Sequence, residues 1–467
     1  MPHVIEQQDV FVAGFRDLER RFRAQELEWL RRLREESIER FAELGIPNIH
    51  QEDWKYTNLA PLTKVAFQTS GVTPGAGKPD PKASLSVIQN SGNKKLESAL
   101  WVGDNRLVFV NGRYSKPLSS LGELPLGVEV RRLAEAKSGE AGTKTGAIVE
   151  EYFARYADWR RHPFIALNTA CWLDGAYVRI AQGTVLEKPI HLLFVSSSGG
   201  PPVVSHPRTL IVAERDTQAT FVESYFGWGS GVAFSNAVTE IVAGENSVVD
   251  HYKMQEENNR SYHLATLCVN QGRGSSFASC SISLGAELAR NEVTAVLDAE
   301  GADCTLNGLY MASGDQHIDN YTTIDHAKPH GTSHQFYKGI LDGRSAGVFN
   351  GRIVVRKDAQ KTDAIQKNKN LLLSEDAVVN TKPQLEIFAD DVRCTHGATV
   401  GQIDPEALFY LRSRGIGWKE ARMLLTYAFA GDILDRIRLT PIRACLEGSL
   451  HARLSQSPGS IQEVPCR

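Results

Sequence analysis

Two residues with metal-binding side chains lie two positions apart in the segment 391–399. They are Cys394 and His396. On a β-strand, residues i and i+2 face the same side, so the thiol and the imidazole would point together. Thiolate and imidazole are suitable ligands for iron, zinc or an iron–sulfur cluster. The spacing therefore predicts Cys394 and His396 as candidate cofactor ligands, with His396 as the candidate metal ligand.

The same spacing is also compatible with a structural role. Val392, Ala398 and Val400 share the strand face of Cys394 and His396, so this face can be the core side. Free cysteine is commonly buried, which favours a structural Cys394. A buried His396 would need a polar partner, and a metal ion could be that partner.

Three further histidines recur at intervals of four residues: His326, His330 and His334. On a helix this spacing would create a metal-binding face. Pro329 and Gly331 interrupt any such helix. Ordinary turn and strand histidines are therefore predicted.

The chain has seven cysteines, an odd number. They form no Cys-x-x-Cys pair and are scattered along the chain: Cys171, Cys268, Cys280, Cys304, Cys394, Cys445 and Cys466. This usage disfavours a disulfide framework and favours reduced thiols in the cytoplasm. Cys268, Cys280 and Cys304 are predicted to be core residues.

Charge and motifs exclude several functional classes. A net charge of −3 argues against a surface driven by overall basicity, so no nucleic-acid partner is predicted. No apolar run approaches the roughly 20 residues needed to cross a bilayer. The N-terminus has no export signal, so a cytoplasmic location is expected. Phosphate-loop, zinc-protease and nucleophile-elbow motifs are absent, and the chain is predicted not to be an enzyme.

The elements that must position these residues follow from periodicity. A helical pattern covers residues 10–44 and another covers about 148–159, with breaker-rich segments at 69–81 and 138–146. From about 167 to 400, short β-prone runs alternate with small polar turns that recur roughly every 27 to 30 residues.

These patterns predict a mainly β fold with a right-handed parallel β-helix core. The expected division is a helical or mixed region at 1–160, the β-helix at 161–403 and a helical region at 404–467. A two-sheet sandwich is the alternative. At the third region, Asp404 and Pro405 supply a helix N-cap and a first-turn proline. The C-terminal helices suit either a solenoid cap or docking to a partner.

Several segments resemble one known family. They are 363–374, 381–391, 394–399 and 408–416, with further similarity at 337–351, 322–326 and 52–57. In these segments the chain is similar to the SufB/SufD family of the SUF iron–sulfur cluster assembly machinery, and to its SufD-like members in particular. The similarity spans most of the chain.

The resemblance implies a scaffold with a parallel β-helix core between helical termini. A SufD-like chain would pair with a SufB-like paralogue, and its C-terminal helices would bind a SufC-like ABC-type ATPase. Iron or an iron–sulfur cluster would be held transiently near the interface, where the family's histidine matches His396. Reduced flavin and a homodimer in the absence of partners stay open, since no sequence feature decides them.

Two departures from SufB-like chains narrow this implication. SufB-like chains carry a functional cysteine in the segment matching 366–371, and this sequence has none there. They also carry a glutamate after the motif histidine, where this chain has Gly397. The resemblance therefore implies an accessory scaffold subunit without persulfide chemistry. A carbohydrate-active β-helix enzyme and a plain β-solenoid binding module are the alternatives.

Overall fold

Two long, mainly parallel β-sheets form the centre of the molecule. The computed structural model describes residues 3–22, 26–69, 103–137, 144–197 and 199–456. Most of the predicted breaker segments at 69–81 and 138–146 lies outside these residues, as does Cys466. The described parts are Thr69, which ends a strand, and 144–146, which begin a helix. The described part is mainly β, with a solenoid of about eight turns between helical regions, which confirms the predicted fold class.

From Arg208 onward, successive strands alternate between the two sheets. Sheet A consists of β1 (Gln68–Thr69), β4 (Val128–Arg132), β5 (Gly175–Ile180), β7 (Val203–Ser205), β8 (Arg208–Ala213), β10 (Ala233–Ala243), β12 (Tyr262–Gln271), β14 (Leu288–Leu297), β16 (His317–His326), β18 (Ala346–Val355) and β20 (Val378–Ile387). Sheet B consists of β2 (Asn105–Val110), β3 (Arg113–Tyr114), β6 (Ile190–Ser197), β9 (Gln218–Trp228), β11 (Val248–Glu256), β13 (Ser276–Ser283), β15 (Asp303–Ala312), β17 (Thr332–Leu341), β19 (Asp363–Leu372) and β21 (Arg393–Gly401).

The strand register shows the repeat directly. Asp303 in β15 pairs with Thr332 in β17, and Thr332 pairs with Asp363 in β19. Each turn thus advances the chain by about 30 residues, as in a solenoid. From β8 to β21 every pairing with a later strand is parallel. This arrangement rules out the alternative of a sandwich of antiparallel hairpins.

One turn of each rung contains a residue in the left-handed region. These residues are Asp216, Asn246, Gly274, Gly301, His330 and Lys361. Their amides link adjacent rungs: Asp216 N donates to Glu245 O at 2.8 Å, and His330 N donates to Gln360 O at 2.9 Å. All but Lys361 lie in the turns that set the predicted period, because glycine, asparagine and aspartate tolerate this conformation.

Strand β6 shows why the strand sequences are apolar on both faces of the sheet. Ile190, Leu192 and Phe194 point into the solenoid and join its inner core. Leu193 and Val195 point outward and pack under the C-terminal helices. A parallel sheet covered on both faces favours such uninterrupted apolar runs.

Helices cover the outer faces of the two sheets. They are α1 (His3–Phe22), α2 (Glu28–Leu44), α3 (Ala60–Thr63), α4 (Leu133–Ala136), α5 (Lys144–Tyr152), α6 (Pro163–Cys171), α7 (Pro405–Ser413), α8 (Trp418–Leu434) and α9 (Thr440–Gln456). The N-terminal helices pack on sheet A and the C-terminal helices on sheet B. None of the described helices is long and apolar enough to span a membrane.

The helix predictions were correct in kind but not in number. The segment 10–44 contains two helices, and its second one ends at Gly45, whose φ is +70°. Helix α6 had no prediction because it is buried on every face and has no polar, solvent-exposed side, which removes the helical period. The predicted cap at Asp404 is confirmed, since its side chain accepts a hydrogen bond from Glu406 N.

Residues 52–57 form an N-terminal strap across the outer face of sheet A. The Arg290 guanidinium lies 4.0 Å from the ring centroid of Trp54 and donates to Asp53 O at 2.9 Å. Thr57 Oγ1 donates to the buried Asp319 Oδ2 at 2.6 Å and lies 3.0 Å from His317 Nε2. The strap therefore ties the N-terminal region to β14 and β16.

We expect Thr57→Val to lower the free energy of unfolding by about 1–3 kcal/mol, because it removes the hydroxyl from a buried hydrogen-bond network at nearly constant volume. Urea unfolding followed by circular dichroism measures the loss. Thr395→Val is the matched control, since Thr395 is exposed on β21. Equal unfolding midpoints for the two variants would show that the Thr57 hydroxyl does not stabilise the fold.

Candidate functional site

The solenoid ends at β20 and β21, each the last strand of its sheet. We call these two strands the open end. Every residue of β21 except Cys394 is exposed, whereas alternate residues of the preceding β19 are buried. Several large apolar residues of this region are exposed: Val378, Ile387, Phe388 and Val400. An unpaired strand edge with apolar side chains is a template for association with another chain.

His396 lies on the inward-facing side of the open end. It pairs in register with Gln366 of β19, and Gln366 is fully buried inside the solenoid. His396 itself is exposed, since no further turn stacks on β21. The sequence left open whether His396 is buried, and the structure shows it exposed on the strand face that parity predicts.

Cys394 is less exposed than His396 and lies against the core. It pairs with the buried Ala364 and packs against the inner apolar cluster. Burial raises the pKa of its thiol, and the neighbouring Asp363 carboxylate raises it further. Both effects disfavour the thiolate that would bind a metal. The structure thus favours the structural interpretation of Cys394.

A row of buried amides leads to His396, and the sequence analysis assigned it no role. Gln366 Nε2 donates to Gln335 Oε1 at 2.8 Å, and Asn370 Nδ2 donates to Asn368 Oδ1 at 2.6 Å. Across the interior, a Cβ on Gly351 would lie 2.1 Å from Gln366 Nε2, so a side chain at this position would displace the Gln366 amide. The alternation of amide side chains at 366, 368 and 370 is the sequence feature from which this row could have been predicted.

Two buried oxygens near the open end lack hydrogen-bond partners among the described residues. They are Gln366 Oε1 and Thr381 Oγ1. Buried polar atoms are nearly always paired in a complete structure, and an unpaired one costs about 1–3 kcal/mol. This end of the solenoid therefore has unused capacity to bind water, a ligand or another chain.

The described residues do not form a complete metal site. No three His, Cys, Asp or Glu side chains within them lie close enough together to hold a metal ion. At the open end, His396 is the accessible imidazole and Cys394 is the half-buried thiol. This strand alone supplies too few ligands for the tetrahedral sites typical of iron–sulfur clusters or zinc.

The other candidate residues are placed as the sequence predicts. His326 ends β16 and is buried, with Nε2 2.8 Å from Ser333 Oγ. His330 occupies a turn, and His334 is an exposed residue of β17. The three do not share a helix face.

The three predicted core cysteines are buried in three different environments. Cys304 lies in the inner core, Cys280 lies between sheet B and the C-terminal helices, and Cys268 lies between sheet A and the N-terminal helices. Burial raises the pKa of each thiol, to about 12 for Cys280. Their prediction as unreactive core residues is confirmed.

The C-terminal helices leave a second exposed surface. No residue of α7 is buried, and Phe409 and Tyr410 are 70% and 57% exposed. A cavity of about 240 Å³ lies between α8 and the end of α9, and Trp418, Met423 and Leu454 are among its lining residues. Exposed aromatic residues on a helix are frequent anchors in protein interfaces.

Two protein-family models match most of this chain. The model for the SufBD core domain of SUF system FeS cluster assembly matches residues 194–429, and the model for the SufBD N-terminal region matches 5–73 and 102–192. The chain belongs to the SufBD family. The predicted resemblance is thereby confirmed, while the predicted domain limits at 160 and 403 stay predictions.

Individual SufBD relatives support the same assignment along the chain. An iron–sulfur cluster assembly SufBD family protein of Synechocystis is 35% identical over 88% of both chains. The iron–sulfur cluster assembly protein SufD of Escherichia coli is 31% identical over 86% of this chain and 88% of its own. SufD of Bacillus subtilis is 25% identical over 90% of this chain and 92% of its own. These similarities support a role in SUF iron–sulfur cluster assembly.

Proposed function

We propose that this chain is a SufD-like, non-catalytic scaffold subunit that works in the cytoplasm and completes a cluster-assembly site together with a SufB-like paralogue. The observation that carries this proposal is the open end. It combines unpaired strand edges, exposed apolar residues and an accessible His396.

The open end suits a partner that continues the solenoid. The edges of β20 and β21 lie side by side, and Val378, Ile387 and Val400 add apolar area there. A second solenoid of the same family offers edges of the same geometry, so strand addition would join the two chains. In the absence of such a paralogue, a second copy of this chain would use the same edges as a homodimer.

His396 would then lie in a shared interface. Iron or an iron–sulfur cluster is the cargo in this proposal, and the partner supplies the remaining ligands. Imidazole is a suitable iron ligand in its neutral form, and an exposed ring is free to reach across the interface. Cys394 is a weaker candidate because its packing and its raised thiol pKa disfavour metal binding.

The C-terminal helices are the proposed docking surface for a SufC-like ABC-type ATPase. Phe409 and Tyr410 provide exposed aromatic anchors on α7, and Leu424 is exposed on α8. Helix α7 begins at Pro405, directly after β21 ends at Gly401, so this surface adjoins the open end along the chain. Reduced flavin has no site that these observations identify.

The decisive experiment is co-expression of the chain with SufB-like and SufC-like partners. We expect His396→Ala to leave the composition of the purified complex unchanged and to lower its iron and sulfide content severalfold, because one ligand is lost without a change in packing. Iron and acid-labile sulfide are measured per mole of complex.

His50→Ala is the control, because His50 is an exposed histidine of the N-terminal region. It should leave iron and sulfide at the level of the unsubstituted complex. Normal cluster content in the His396→Ala complex would contradict the proposed ligand. Failure of the unsubstituted chain to purify with a SufB-like partner would contradict the proposed pairing.

A further inference from the structure

A pocket rich in cations lies on the outer face of sheet B, beside the end of α8. Its volume is about 610 Å³, and Phe336, Lys367, Lys369, Asp432 and Arg436 are among its lining residues. We call it the basic pocket. Its volume falls within the range of small-molecule sites, about 300–1,000 Å³.

The alternation of β19 builds this pocket. Gln366 and Asn368 point into the solenoid and are buried, whereas Lys367 and Lys369 point outward and are exposed. In the neighbouring strand, Phe336 pairs in register with Lys367 and therefore shares its outward face. The segment 366–370 thus has an inward face and an outward face. The inward face belongs to the amide row beside His396, and the role of the outward face is not explained by the open end.

The basic pocket has more positive than negative charge. Lys338 forms an ion pair with Asp432, the acidic residue of the pocket lining. Burial lowers the pKa of Lys338, and the positive charges of Lys369 and Arg436 lower it further. Among the described residues, no ion pair neutralises Lys367 or Lys369. Arg436 also forms no ion pair among these residues, so the three cations Lys367, Lys369 and Arg436 face one carboxylate, that of Asp432, which already binds Lys338.

The Phe336 ring lies beside three cations, which are Arg436, Lys369 and Lys338. The Arg436 guanidinium lies 5.0 Å from the ring centroid, and the Lys369 ammonium lies 6.0 Å from it. Lys338 lies 5.4 Å from the same centroid. Cation–π attraction at such distances offsets part of the repulsion between like charges. The cations are thereby positioned before a ligand binds.

We propose that the basic pocket binds a small phosphate-bearing molecule. Ammonium and guanidinium groups are hydrogen-bond donors without acceptors, and they form their strongest bonds with phosphate and carboxylate oxygens. A phosphate dianion or a diphosphate balances three uncompensated cations better than a single carboxylate does. The site does not depend on the partners proposed above, so the isolated chain is sufficient to test it.

Inorganic pyrophosphate is the probe, and isothermal titration calorimetry of the full chain is the measurement. We expect saturable binding that becomes weaker by about tenfold or more in the double variant Lys367→Ala, Lys369→Ala, because two charge-assisted contacts are removed. Both lysines are exposed, so the variant retains its fold. A parallel titration with ADP distinguishes a nucleotide from a free diphosphate: tighter binding of ADP indicates a nucleotide, and equal binding indicates a free diphosphate.

The double variant Lys328→Ala, Lys357→Ala is the matched control, since it removes two exposed lysines from solenoid turns that do not line the pocket. It should bind pyrophosphate like the unsubstituted chain. If both double variants bound pyrophosphate equally more weakly than the unsubstituted chain, the loss would come from net charge alone, and the proposal would be overturned. Heat no larger than that from sodium chloride of the same ionic strength would also overturn it.

Discussion

Glu240→Gln is expected to lower the free energy of unfolding by about 3–5 kcal/mol, the range for breaking a buried ion pair from one side. Glu240 and Arg208 are paired, and both side chains are fully buried between sheet A and the N-terminal region. Glu240 also accepts backbone hydrogen bonds from Ala154, Tyr156 and Ala157 at 2.9, 2.9 and 3.0 Å. An amide would place an NH₂ group against one of these donors.

Chemical denaturation of the chain measures this loss, and Glu187→Gln is the control because Glu187 is an exposed glutamate. The control should unfold like the unsubstituted chain. The segment around Ala157 should also exchange its amide hydrogens faster in Glu240→Gln, because the carboxylate fixes that turn. Unchanged stability and unchanged exchange would refute the anchoring role of Glu240.

Mild acid should destabilise the fold through buried neutral histidines. Burial lowers the pKa of His191 and of His206 to about 3, and that of His326 to about 4. Their hydrogen-bond partners are uncharged: His191 Nε2 lies 2.8 Å from Ser224 Oγ, and His206 Nδ1 lies 3.2 Å from Asn236 Nδ2. An amide NH₂ facing His206 Nδ1 requires that this nitrogen carry no proton.

The direction of the effect follows from proton linkage. Below about pH 6.5 the unfolded chain binds a proton at each of these histidines, whereas the folded chain does not until much lower pH. Unfolding is therefore favoured as the pH falls. The loss is about 2 kcal/mol for each such histidine between pH 6.5 and 5.

Unfolding midpoints in urea measured across pH 5–7 give the slope. His206→Gln should make the slope shallower, because glutamine keeps a hydrogen-bond acceptor and does not titrate. His50→Ala should leave the slope unchanged, since His50 is exposed in the folded chain. A pH-independent stability between 6.5 and 5 would contradict the assignment of these histidines as buried and neutral.

The helical regions explain why one end of the solenoid is available for a partner. The N-terminal helices and strap cover sheet A, and α8 and α9 cover sheet B, so both outer faces are protected along most of their length. The strands β20 and β21 have no following turn. Among the described residues, the unpaired strand edges of β20 and β21 therefore lie at the end that carries His396.

Much of the fold can be predicted from short segments of the sequence. The polar turns at Asp216, Asn246 and Gly274 recur at the solenoid period because each must adopt a left-handed backbone conformation. The alternation around Cys394 and His396 correctly gives their shared strand face. The cap at Asp404 is equally local. Turns, caps and strand faces depend on neighbouring residues, so a single sequence determines them.

Other features depend on which segments stack on one another. Helix α6 is surrounded by distant parts of the chain, and no local period marks it. The amides at 366, 368 and 370 do alternate, but the partner of Gln366 comes from the neighbouring strand. His396 has a core-facing position, yet it is exposed because β21 is the last strand. The basic pocket forms only where Arg436 meets β17 and β19. The sequence by itself determined the repeat, the family and the face of His396. The tertiary structure decided its exposure, because burial of a strand requires a further turn that no local pattern specifies.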